Sequence, residues 1–109
     1  MLERRLTAIL AADVVGYSRL MGANEVATLQ SLEQHQKELI EPEVSAGHGR
    51  IVKLTGDGIL AEFPSVVSAV ECASAIQRGM RTRNQDVPDD RRIQLRIGID
   101  HVAEIDADA

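Results

Sequence analysis

The triplet Gly56-Asp57-Gly58 lies between two short apolar runs, Ile51 to Thr55 and Ile59 to Phe63, and constrains the chain more than any other stretch. An Asp-Gly pair in that setting signals a β-hairpin, because glycine accepts positive φ and the Asp side chain bonds nearby backbone N–H groups. A second glycine before the Asp is more than a turn requires. Glycines on both sides of a carboxylate clear side chains away from it and let a large ligand reach the backbone, as in phosphate-binding loops. Asp57 is therefore the first candidate functional residue.

Leu6 to Val15 is a nearly continuous run of small apolar residues, broken only by Thr7 and Asp13. With no helix cap before it, the run suits a central strand buried on both faces. Asp13 is its anomaly, since a carboxylate near the end of a buried strand is costly unless it is paired, hydrogen-bonded or bound to a metal. Gly16-Tyr17-Ser18 reads as a tight turn whose backbone N–H groups are able to face an anion, with Gly16 its pivot. From Asn24, a good N-cap, apolar residues recur with a period of 3.6 at Val26, Leu29, Leu32, Leu39 and Ile40. Pro42 predicts a break, followed by a short extension to Ala46 and a stop at Gly47-His48-Gly49.

Pro64-Ser65 predicts a strand stop and an N-cap. The spacing of Val66, Val70, Ala73, Ile76 and Met80 predicts an amphipathic helix to about Thr82, with Cys72 filling the core or its edge. Asn84 to Asp90 reads as a polar loop, and Arg92 to Asp100 alternates like a half-exposed strand. The order β-α-β-β-α-β is the ferredoxin-like α+β arrangement, an antiparallel sheet with both helices on one face. Right-handed crossovers place the first strand beside the third. The C-terminal end of the first strand then meets the start of the third, which brings Asp13 to Asp57 across 44 residues of sequence. Two hard carboxylates with open coordination positions suit Mg²⁺ or Mn²⁺, and two such ions about 4 Å apart activate an attacking oxygen and stabilise a leaving pyrophosphate.

Composition narrows the partners. A net charge of −5 argues against nucleic acid, which needs a basic surface, but is compatible with a phosphorylated ligand held through metal. At 109 residues one domain is expected, and no apolar run approaches the ~18 residues of a membrane span. The N-terminal residues lack a signal-peptide cleavage site, and the single cysteine fits a reducing compartment, so a cytoplasmic location is expected.

Three segments carry a family resemblance. A-A-D-V-V-G-Y-S at Ala11 to Ser18, G-R-I-V-K-L-T-G-D-G-I-L-A-E-F at Gly49 to Phe63, and R-I-G-I at Arg96 to Ile99 resemble the catalytic domain of class III adenylate/guanylate cyclases, most closely its bacterial branch. The resemblance covers Arg4 to Ile99. It implies that Asp13 and Asp57 are catalytic and, with the backbone carbonyl of Val14, hold two Mg²⁺ or Mn²⁺ ions. Lys53, four residues before Asp57, corresponds to the purine-reading position, where lysine implies adenine and glutamate guanine. Gly16 and Gly56 are expected beside the nucleotide. The implied substrate is ATP, the product 3′,5′-cyclic AMP, and the implied assembly a head-to-tail homodimer in which Lys53 and Asp57 of one chain serve different sites.

The sequence also departs from that family. Where the family continues with a helix bearing V-N-x-x-A-R, whose Asn and Arg orient the ribose and stabilise the transition state, this sequence reads D-H-V-A-E-I-D-A-D-A. Residues 1–99 are thus expected to form a partial cyclase domain lacking its C-terminal part, and residues 100–109 an acidic tail. Asp100, His101, Glu104, Asp106 and Asp108 are expected to be solvated in that tail; a separate metal site there is the alternative. A weakly active or inactive adenylate cyclase domain is the first expectation, and a non-catalytic dimerisation or nucleotide-binding module the alternative.

Overall fold

Alternation along the first strand sets the architecture. A computed structural model describes the backbone of residues 2–107 and the side chains of residues 7–101. In strand β1 (Leu2–Val14), Ala8, Leu10, Ala12 and Val14 are buried, whereas Ala11 is exposed and Asp13 only half-buried. The strand is central, as expected, but it is buried on one face and not both. All the packed helices lie on that face, so the other face of the sheet is open.

The sheet has the order β2-β3-β1-β4, with every neighbouring pair antiparallel. This is the ferredoxin-like arrangement expected from the sequence. Strands β2 (Arg50–Leu54) and β3 (Gly58–Phe63) form the hairpin, and β4 (Leu95–Ala107) pairs with the whole length of β1. Ile59, Ala61 and Phe63 of β3 join the core from the same side as the buried residues of β1. Phe63, Leu10 and Ile76 are its largest fully buried side chains, each contributing about 1.5–3 kcal/mol through burial.

Several helical expectations are corrected. Tyr17–Ala23 forms a helix, α1, where a tight turn was expected; Gly16 precedes it in the left-handed region at φ 66°. Helix α2 (Glu25–His35) begins at Asn24, whose side chain accepts from the Ala27 N–H. Pro42 causes no break. Instead the chain widens into a π-turn at Gln36–Ile40, where the Glu41 N–H reaches back to the Gln36 carbonyl, and Pro42 sits in the first turn of α3 (Glu41–Ala46). The backbone stays helical through Ile40 and Glu41, and the wider turn just before Pro42 accommodates its ring and missing N–H. The buried stripe differs from the expected one: Thr28, Leu32 and Ile40 are buried, while Val26 and Leu29 face outward.

Helix α4 (Val66–Asn84) starts at the expected cap, with Ser65 accepting from the Ser68 N–H. Its buried stripe is Ala69, Cys72, Ile76 and Met80, so Cys72 lies in the core, while Val66 and Val70 are exposed. Residues Asp100 to Ala107 do not form a separate tail. They continue β4, pairing with Leu2 to Ile9, because the long N-terminal strand supplies backbone partners for them. Asp108 lies outside the described residues, as do the side chains of Glu104 and Asp106. Among the described residues no helix is long and apolar enough to cross a membrane.

Candidate active site

The antiparallel register brings the backbones of Asp13 and Asp57 side by side. Asp13 is directly opposite Gly58 at the start of β3, and the Val14 N–H donates to the Asp57 carbonyl at 3.1 Å. Asp13 belongs to the open face of the sheet, since its neighbours Ala12 and Val14 point into the core. Asp57 sits in the hairpin turn, half-buried. The turn is closed by the Thr55 N–H donating to the Gly58 carbonyl at 2.8 Å, with the Thr55 hydroxyl donating to the same oxygen at 3.2 Å.

The glycines of this turn have a different rationale from the expected one. Neither Gly56 nor Gly58 has positive φ. Their value is space. A Cβ on Gly58 would stand 2.7 Å from the Thr55 hydroxyl, and one on Gly56 would stand 3.0 Å from the Tyr17 hydroxyl. Tyr17, at the start of α1, thus packs over Gly56 and ties the turn after β1 to the hairpin.

Lys53 reaches the open face through an irregularity. Arg50 pairs with Glu62 and Ile51 with Ala61, but the next pair is Lys53 with Leu60, which leaves Val52 as an extra residue. In strict alternation Lys53 would oppose Ile59 and point toward the core. The bulge re-aims it to the same face as Asp13, a common use of bulges near functional sites. Lys53 is exposed, and no hydrogen bond from it is found among the described residues.

Arg96 is the participant that sequence reasoning left without a role. It is the direct cross-strand partner of Asp13, and its Nε and Nη2 donate to the two carboxylate oxygens at 3.0 and 3.1 Å. These hydrogen bonds hold the Asp13 carboxyl below its ordinary value, and Asp13 in turn raises the Arg96 guanidinium. The signal was present in the alternation of Arg92 to Asp100, which puts Arg96 on the polar face of β4. Only the β1–β4 register shows which residue it meets.

Comparison with known proteins now gives this geometry its relatives. Against protein-family models the chain has no match. It is 54% identical over 98 residues to "Putative adenylate cyclase 3" of Rhizobium meliloti (strain 1021), a match covering 90% of this chain and 17% of that protein. A crystal structure of an adenylate/guanylate cyclase/hydrolase from Silicibacter pomeroyi superposes with a TM-score of 0.85 at 47% identity, over 99% of this chain and 63% of the other. The guanylyl cyclase Cya2, at 22% identity and a TM-score of 0.77 over 94% of this chain and 57% of the other, shares the fold. Over nearly its whole length the chain is thus similar to class III adenylate/guanylate cyclase domains. It spans about one-sixth of the curated relative and under two-thirds of the Silicibacter chain.

Proposed function

We propose that the chain carries the metal-binding and purine-reading strands of an adenylate cyclase that converts ATP to 3′,5′-cyclic AMP and pyrophosphate. The observation that carries this reading is the meeting of Asp13 with the Asp57-Gly58 turn at neighbouring strand ends, in a chain similar to cyclase domains. Two carboxylates and the Val14 carbonyl form a hard oxygen donor set that fits Mg²⁺ or Mn²⁺. Among the described residues no third His, Cys, Asp or Glu completes a cluster, and a sparse protein donor set suits ions whose remaining positions go to substrate phosphates. When bound, two such ions lower the cost of forming the ribose 3′-alkoxide and neutralise the departing pyrophosphate.

The chain's own residues have positioning and recognition roles. Asp13, at the end of β1, and Asp57, in the adjoining hairpin turn, are held in place by the hydrogen bond from the Val14 N–H to the Asp57 carbonyl, which fixes their location during the reaction. Gly16 keeps side-chain bulk away from the backbone beside the triphosphate, and Gly56 makes room for the Tyr17 hydroxyl that packs over the turn. The 3′-oxygen bonds to the α-phosphorus, the bond from that phosphorus to the pyrophosphate oxygen breaks, and the 3′ proton leaves to solvent. Lys53 donates to N1 of adenine; N1 of guanine is itself a donor and would oppose it. Lys53 lies two strand spacings from Asp13, roughly 10 Å across the sheet. That separation favours a head-to-tail pair, in which Lys53 of one chain serves the aspartates of its partner.

The alternative reading is a nucleotide-binding or dimerisation module without turnover. The test is cyclic AMP production by the purified chain with ATP and Mn²⁺, beside Asp57→Ala. A slow rate that Asp57→Ala abolishes supports the cyclase reading; equal rates in the two proteins refute it. ATP binding without turnover supports the module.

A further inference from the structure

We propose that Arg96 is a latch on Asp13, one that a divalent cation must displace to take the carboxylate. The inference rests on the reading of Asp13 as a metal ligand and adds a competitor to it. Arg96 and Asp13 are register partners on adjacent strands, so the backbone ladder places the two side chains beside each other. The guanidinium donates to both carboxylate oxygens in the planar two-point geometry that favours Arg over Lys. A cation approaching Asp13 therefore meets a neutralised carboxylate with a positive charge beside it. Release is feasible because both partners touch solvent: the Arg96 side chain is 72% exposed and that of Asp13 46%.

The same exposure bounds the effect. An exposed ion pair, even a two-point one, is worth little in water and is screened by salt. Its removal should therefore strengthen divalent-cation binding about fivefold at low ionic strength, with the advantage shrinking at high salt. Arg96 here is a positioning residue, acting on the ion through the carboxylate it holds.

The experiment titrates the full chain with Mn²⁺ and reads free Mn²⁺ by electron paramagnetic resonance, comparing wild type, Arg96→Gln and Asp13→Asn at low and high salt. The latch requires Arg96→Gln to bind about fivefold more tightly than wild type at low salt, and Asp13→Asn to bind most weakly. A second measurement needs no Arg96 variant: the Arg96 Nε–H resonance of wild type should move on Mg²⁺ addition, and that of Asp13→Asn should not. Equal affinity of wild type and Arg96→Gln, with binding lost in Asp13→Asn, overturns the latch and leaves the metal site standing. Weaker binding by Arg96→Gln overturns it as well. Absence of any Asp13-dependent Mn²⁺ binding removes the metal reading and the latch with it.

Discussion

Substituting Gly49 by alanine tests how the hairpin is seated on the helical layer. A Cβ at this position would stand 2.5 Å from Cε2 of Phe63 and 2.8 Å from its Cδ2 and Cζ. Carbon atoms in contact sit about 3.5–4.0 Å apart, so the overlap is about 1 Å against three ring atoms. The ring has little room to retreat: Phe63 is 2% exposed, and the same edge lies close over Gly47, where a Cβ would stand 3.1 Å away. Such overpacking costs about 1–3 kcal/mol, and here the upper part of that range applies. Against it, Gly49 does not have positive φ, so alanine regains about 0.5–1 kcal/mol by restricting the unfolded chain. The net expectation is a loss of about 1–2 kcal/mol, or about 1 M in the urea midpoint followed by circular dichroism.

The double mutant isolates the cause. Phe63→Leu removes the ring atoms involved, and although it costs about 1–2 kcal/mol by itself, Gly49→Ala in that background should be neutral or slightly stabilising. A wild-type midpoint for Gly49→Ala, or an equal loss in both backgrounds, would refute the reasoning.

Two further outcomes follow from titratable groups in the helical layer. His35 is half-buried and its Nδ1 accepts from Arg83 Nε at 2.8 Å; burial first, then the Arg83 charge, holds its pKa below the ordinary 6.5, with Glu38 opposing. The unfolded chain then binds the proton more readily, so this contribution is present above pH 6.5 and is lost as pH falls below it toward the depressed folded value. Between pH 8 and 5.5, wild type should lose more urea resistance than His35→Gln; parallel losses contradict the assignment. Burial, with a smaller effect of Glu43, pushes the Cys72 thiol up to about 11, so maleimide should leave the native chain unlabelled at pH 8 and add one equivalent after denaturation. Labelling of the native chain at the rate of a free thiol contradicts this.

What could be read in the sequence, and what could not, divides by the range of the forces involved. The hairpin, the strand order and the meeting of Asp13 with Asp57 were legible, because apolar alternation, an Asp-Gly turn and right-handed crossovers together leave few arrangements. Helix α1 was not, since its seven residues, which include Gly22 and follow Gly16, are too few to show a period. The stripe of α4 was legible at Ile76 and Met80 but displaced in the N-terminal half, because Val66 and Val70 are as apolar as Ala69 and Cys72, and only packing against the sheet decides which pair is buried. At Pro42 the expected break ignored a wider helical turn as a way of accommodating the ring.

The two faces of the sheet separate stability from chemistry, and period-two alternation is what allows it. The residues that hold β1 to the helices, Ala8 to Val14 in steps of two, leave Asp13 on the opposite side without disturbing the core. On that open side the charges are matched across neighbouring strands, Arg96 with Asp13 and Arg50 with Glu62. Strict alternation would have sent Lys53 the other way, opposite the buried Ile59, and Leu54 to the open face. The single extra residue at Val52 reverses both, placing an apolar side chain on the core side of the hairpin and a cation on the face that bears Asp13.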